Sequence, residues 1–432
     1  MSSGKSEKNN SELLCEKVTC PHCWKSSPVE DILWIAEAPE LTGDARLGEA
    51  DKQRFLPARF DIKGNALDLK GFACKKLACP HCHLEIPRSY LEMEPFFISI
   101  VGAPASGKSC FLTSMCWNLR KILPNEFDLN FLDADPEMNG HLQEDETAQF
   151  LNDDPDAITR IKKTEAEGDM YKTVMINDQY ITYLQPYLFT LSPAQEHFNA
   201  AERNRVSRTL TIYDNAGESY LPIRDGDAAS LPVTRHLEQS NCIMFTFDPI
   251  QDNRFRAVCT NPSNDPQLIK ETSDSFLKSP LRQEMVLGEM INRTRSYIGL
   301  HSSEKYDRPV IIVVTKFDAW KDLVPDLSMR NPWAKTISSN TPAFLLKKVQ
   351  DVSKTIRELL KKHLPEMVGM LDQFADNVTY IPVSATGGPP IQDPKTGNWG
   401  FKANSIKPIW VEVPLLYALS QAADGLVCVS KK

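Results

Sequence analysis

The sequence predicts an α/β protein: a doubly wound, mostly parallel sheet with large insertions, preceded by a small cysteine-bearing module. Three observations predict it. Apolar runs such as FFISIV (96–101), NCIMFTFD (241–248) and PVIIVVTKFD (309–318) have the unbroken character of strands buried on both faces. Segments with helical spacing alternate with them. Two CPHC motifs lie ahead of the first such run.

In chain order, residues 1–12 are polar and expected to be disordered, 13–92 form the first module, 93–425 the α/β domain and 426–432 a tail. The module is rich in turn residues and poor in helical period. FFISIV reads as the first strand of the sheet. KSCFLTSMCWNLRKIL (108–123) places Phe111, Leu112, Met115, Cys116, Leu119 and Ile122 at helical spacing. FDLNFLD (127–133) alternates, as a strand does. Residues 133–156 are acidic without lysine or arginine and suggest a polar insert around a helix. YITYLQPYLFTL (180–191) and RTLTIYD (208–214) read as a strand pair. PAFLLKKVQDVSKTIRELLKKHL (342–364) is an amphipathic helix, VTYIPVSA (378–385) a strand, 387–400 a Gly/Pro loop, and a last helix lies near 408–423. No internal repeat is evident.

Composition narrows the function classes. The 432 residues are 41% hydrophobic and 25% charged, as in ordinary globular proteins. A net charge of −8 argues against direct grip on nucleic-acid backbones. No apolar run is long enough to span a membrane. The opening MSSGKSEKNN has no apolar core and is not a secretory signal. Eleven cysteines, four of them in CxxC pairs, suit a reducing cytoplasm and a metal site better than a disulfide framework.

The cysteine pairs are Cys20 with Cys23 and Cys79 with Cys82. Two such knuckles fit a closed tetrahedral zinc site, structural in role because no ligand position stays open. A zinc ribbon usually has a shorter gap, so residues 24–78 would be an insertion. A redox CxxC is the rival reading. Cys15, Cys74, His22, His81 and His83 read as bystanders. The module's even charge balance points to protein binding. DADPEMNGHLQE (133–144) approaches a calcium loop, but Met138 stands where the sharp turn needs glycine, so a solvated acidic helix start is preferred.

GAPASGKS (102–109) fits GxxxxGKS between a strand and a helix, the context a phosphate-binding loop requires. Gly102, Ala105, Ser106, Gly107, Lys108, Ser109 and Cys110 are its expected nucleotide contacts. Glycines let backbone N–H groups face a phosphate, Lys108 neutralises its charge, and Ser109 offers a hydroxyl to Mg²⁺. Pro104 supplies shape rather than a donor.

The loop alone does not separate ATP from GTP. Thr315, Lys316 and Asp318 form a TKxD sequence at a strand end. A carboxylate at Asp318 can accept from guanine N1–H and the 2-amino group, donors that adenine lacks in that arrangement. Lys316 can lay its stem over the purine, and the Ala385 N–H, beside Ser384 in VSAT, can donate to O6. Asp214 ends another strand, placed to hold Mg²⁺ through water, and Gly217 can bring its N–H to a γ-phosphate. Glu218 stands where Ras-like enzymes carry a water-orienting glutamine. Thr164 is the preferred metal- and γ-phosphate-sensing threonine, with Thr173 second. The ordered set GxxxxGKS, DxxG, TKxD and SA predicts a P-loop GTPase.

With these motifs, TFDPIQ (246–251), KTEAEG (163–168), YDNAGE (213–218) and PIWVEVPLLYAL (408–419) resemble the double-GTPase group of bacterial conflict systems. The resemblance implies a P-loop GTPase with GTP or GDP and Mg²⁺ as ligands. It also implies a protein partner, a second GTPase encoded nearby, and a role in defence against phage or other invaders. The expectation is therefore a slow regulatory GTP hydrolase with a zinc-ribbon-like module. A nucleotide-binding scaffold without turnover and a P-loop ATPase remain the alternatives.

Overall fold

The computed structural model describes residues 14–430 apart from 155, 161–167, 169, 221–231, 260–264, 267, 269–281, 337–338 and 395–396. A seven-stranded sheet organises it. Its strands are β1 (Glu94–Gly102), β2 (Leu129–Asp133), β3 (Tyr187–Pro193), β4 (Arg208–Asp214), β5 (Cys242–Phe247), β6 (Val310–Val314) and β7 (Val378–Pro382). Their spatial order is β2-β3-β4-β1-β5-β6-β7. From β4 to β7 the pairings are parallel; β2 and β3 add two antiparallel pairings at one edge. β5 and β6 are buried at every position, which explains why both are apolar throughout but for Thr246 of β5.

The principal helices are α1 (Lys108–Phe127), α2 (Gly140–Phe150), α3 (Gln283–Ile298), α4 (Leu346–His363), α5 (Pro365–Phe374) and α6 (Val413–Ala422). Strand alternation divides the core between two faces. Phe96, Ile98 and Ile100 of β1 and Leu210 and Ile212 of β4 join the large core built with the helices. Phe97 of β1, Leu188 of β3 and Tyr213 of β4 point the other way, into a second core shared with Cys20, Cys23, Cys79, Cys82 and Trp24. The cysteine-bearing module thus covers part of one sheet face.

Several elements differ from the sequence reading. Residues 180–191 are not one strand: Gln179–Leu184 pairs with Tyr171–Ile176, and only Tyr187–Pro193 enters the sheet. Asn177 and Asp178, at φ 51° and 60°, form the tight turn of that first hairpin. The 342–364 helix starts at Leu346, because Ser339–Leu345 is a strand paired with Trp333–Thr336. The 387–400 loop contains a hairpin, Ile391–Gln392 with Trp399–Lys402. Leu426 and Val427 are buried, and Val429–Ser430 pairs beside Phe344–Leu345. The acidic segment is not simply solvated: Arg120 bridges Asp133, the first acid of the calcium-like loop, at 2.9 Å, and Glu146 beyond that loop at 3.1 Å. A short repeat also emerges, Phe60–Ala66 followed by Leu67–Ala73, each closed by a bridge between its first residue and its last.

Candidate functional site

The parallel strands β4, β1, β5, β6 and β7 end along one edge, where α/β sheets receive ligands. Residues 102–109 carry the chain from β1 into α1 across this edge. Ala105 and Gly107 are both left-handed, at φ 61° and 88°. Such alternation turns successive N–H groups to one side and makes an anion-binding concavity. Gly107 is also the N-cap of α1 and has no side chain to occupy the first-turn amides. Gly102 admits no other residue: a Cβ there would lie 2.0 Å from Thr246 Oγ1. The Ser106 and Thr246 hydroxyls meet at 2.8 Å. Cys110 is half-buried, and burial pushes its thiol up to about 11, so it stays protonated near neutrality.

The end of β4 closes on this loop. The Lys108 ammonium lies 3.7 Å from Asp214 Oδ1, and both side chains are buried. A Cβ on Gly217 would come within 2.6 Å of Pro104 N and 2.7 Å of Gly102 O, so the two loops touch backbone to backbone. Gly217, Glu218 and Tyr220 belong to a single 3-10 turn. Arg293 of α3 steadies it, donating to the Ser219 carbonyl at 2.7 Å. Thr164 lies outside the described residues. Thr173 sits in the Tyr171–Leu184 hairpin, its hydroxyl 3.0 Å from that of Thr182.

Beyond β6 the TKxD residues meet the same loop. Thr315 donates its hydroxyl to the Ser106 carbonyl at 2.8 Å. Lys316 is left-handed at φ 56°, which swings its chain out of the strand direction. Its ammonium pairs with the fully buried Asp248 at 2.7 Å. Burial alone would pull Lys316 down, but Asp248 and Asp265 outweigh it and hold the ammonium above its ordinary value. Asp318 accepts from the Ser384 hydroxyl at 2.5 Å, and Ser384 in turn accepts from Gly387 N at 2.8 Å. Burial pushes the Asp318 carboxyl up against that hydroxyl's pull. The Ala385 carbonyl accepts from Ser114 of α1 at 2.9 Å, tying the SA turn to the helix that starts at the loop.

The four CxxC cysteines converge, all buried, with their sulfurs within 4.8 Å of one another. Cys20 and Cys82 sulfurs are 3.7 Å apart, as are those of Cys23 and Cys79. A tetrahedron with metal–sulfur bonds of about 2.3 Å has edges of about 3.8 Å, so the cluster could hold a metal such as zinc. The knuckles share one geometry. His22 N and His81 N each donate to the preceding cysteine sulfur at 3.3 Å. Trp24 and His83 are each left-handed, at φ 58° and 62°. The bystanders are otherwise engaged: His22 Nε2 meets the Glu85 carbonyl at 2.9 Å, and His83 Nδ1 meets Asp44 at 2.8 Å. The Cys74 thiol reaches the Phe72 carbonyl.

Three residues of this edge escaped the sequence reading. Asp248 directly follows β5, and an acid just past the carboxyl end of a buried parallel strand was its available signal. Gln283 clasps the Asp248 backbone, accepting from its N–H at 2.9 Å and donating to its carbonyl at 2.8 Å. Neither Gln283 nor Arg293 carries a sequence signal, since each acts from the far end of a long connection. No family model matches the chain, and no curated protein sequence matches it.

Proposed function

We propose that this chain is a regulatory GTPase that binds GTP with Mg²⁺, hydrolyses it slowly and thereby switches a partner protein. The observation carrying the proposal is the convergence of separate motifs on one loop: Lys108 beside Asp214, Gly217 against Pro104, and Thr315 bonded to Ser106. In this reading residues 102–110 are the P-loop, with Gly102, Ala105, Ser106 and Gly107 shaping the cradle. Lys108 faces the β- and γ-phosphates, and Ser109 and Asp214 hold Mg²⁺, which when bound neutralises charge on the transferring phosphoryl group. Asp318, oriented by Ser384, reads the guanine edge, with Lys316 beside the ring and the Ala385 N–H toward O6.

Cys20, Cys23, Cys79 and Cys82 hold zinc as a structural staple of a ribbon-like module in this proposal. The resemblance to double-GTPase conflict proteins extends the reading to bacterial defence, with a second GTPase as partner. Glu218 favours a second reading, nucleotide binding without turnover. A carboxylate can accept from the attacking water but opposes the γ-phosphate's charge and donates nothing to it.

Titration calorimetry with GTP and ATP in Mg²⁺ tests the base; equal affinities would remove the guanine assignment. Single-turnover phosphate release then separates a slow hydrolase from a scaffold.

A further inference from the structure

The insertion between the knuckles presents a surface that nucleotide chemistry leaves unused. Phe60–Ala66 and Leu67–Ala73 are consecutive turns built to one plan. Asp61 Oδ1 accepts from Lys63 N and Asn65 N, both at 2.8 Å. Asp68 Oδ1 accepts from Lys70 N at 2.9 Å and Phe72 N at 3.0 Å. The second carboxylate oxygen of Asp68 accepts from Ala38 N at 2.9 Å, fixing the repeat to the module. A left-handed glycine closes each turn, Gly64 at φ 81° and Gly71 at φ 89°.

Held this way, each tip offers an aliphatic residue followed by lysine. Ile62 is 103% exposed and Leu69 81%, with Phe60 and Phe72 about half exposed behind them. Ile62 and Leu69 add little to their own fold, and their removal from water elsewhere would be favourable. At each tip the exposed aliphatic stands directly beside a lysine, whereas the centre of a protein–protein interface is depleted of charged residues, lysine among them. The adjacent lysine can lay its stem on apolar material and keep its ammonium among anions. Arg59, Lys63, Lys70 and Lys75 are all exposed here, in a chain whose net charge is −8. The insertion's two acids between residues 54 and 76 are spent on turn amides. An anionic surface therefore attracts this pole while repelling the acidic remainder.

We propose that the paired tips dock the protein on an anionic lipid surface. Ile62 and Leu69 enter the acyl boundary, and Lys63 and Lys70 remain with the phosphates.

Flotation of the full chain with vesicles tests this directly. Phosphatidylcholine vesicles containing phosphatidylserine should capture at least about tenfold more protein than phosphatidylcholine alone, and added salt should weaken capture. Ile62→Asp with Leu69→Asp, and separately Lys63→Glu with Lys70→Glu, should each abolish it. Circular dichroism and metal content, unchanged in both variants, show that the module is still folded. No flotation with the anionic vesicles, equal capture by neutral ones, or full capture of the aspartate variant overturns the proposal. So does self-association through the tips without vesicle binding. Because the readout contains no nucleotide, it stands or falls independently of the GTPase reading.

Discussion

Asp248→Asn probes how the Lys316 side of the proposed nucleotide site is held. Asp248 is fully buried, and its Oδ2 lies 2.7 Å from the Lys316 ammonium. At an effective dielectric of about 20 the gross attraction at this distance is about 6 kcal/mol. Desolvation offsets part of it, since burial pushes the Asp248 carboxyl up. Removing one partner of a buried pair costs about 3–5 kcal/mol. Lys316 keeps 25% of its side chain exposed, and Asp265 also acts on it, so the lower figure applies. Asparagine can still accept from Ile250 N, the bond Asp248 Oδ1 makes at 3.1 Å, so shape is retained and charge alone is lost. About 3 kcal/mol is roughly a hundredfold in affinity if it falls wholly on the bound state. Calorimetric GTP affinity should drop by about tenfold to a hundredfold, with a lower denaturation midpoint in nucleotide-free protein. An affinity within about twofold of the parent, with an unmoved midpoint, would refute the idea that Asp248 positions Lys316.

Gly217→Ala places a Cβ about 2.6 Å from Pro104 and must push the two loops apart, so GTP turnover should fall at least about tenfold while binding changes less; paired turnover and calorimetry check it. Asp318→Asn should move base preference from guanosine toward xanthosine nucleotides, where a keto group replaces the 2-amino donor, as competition binding would show. Replacing Cys79 and Cys82 by serine should remove bound zinc from the purified protein; unchanged stoichiometry by metal analysis would contradict the four-sulfur site. His236 is buried, and its imidazole is pulled down to about 3 by desolvation. Its unfolded form binds a proton from about pH 6.5 downward, so the native state, holding it neutral, loses stability as pH falls through that value toward 3. The loss should reach about 2 kcal/mol by pH 5, and denaturant titrations of His236→Gln should lose that part of the dependence.

The buried parallel strands were legible because burial on both faces demands apolar residues at every position, as in Val310–Val314. The cysteine cluster was legible because its spacing is local within each knuckle. Less visible was whatever depends on pairing between distant segments. Nothing local to YITYLQPYLFTL shows that its halves serve different sheets, although Pro186 marks the break. Residues 342–345 have apolar character that serves strand or helix equally, and their partner at Trp333–Thr336 decided the matter. The twin turns were missed because their unit is shorter than the periods by which whole-chain repeats are recognised. Of the expected site, Lys108, Asp214, Gly217, Thr315, Lys316, Asp318 and Ser384 meet along one edge, whereas the residues that brace them, Asp248, Gln283 and Arg293, act across long connections.

Tyr213 and Asp214 are neighbours on one strand and leave it on opposite faces. The carboxylate lies beside Lys108, while the tyrosine hydroxyl donates to the Pro21 carbonyl at 2.6 Å and accepts from the Trp24 indole at 3.0 Å. One peptide plane joins the two, so a backbone movement that carries the Asp214 carboxylate away from Lys108 also pulls on the tyrosine's bonds to the first cysteine knuckle. The knuckle is in that sense an anchor for the strand end that carries Asp214.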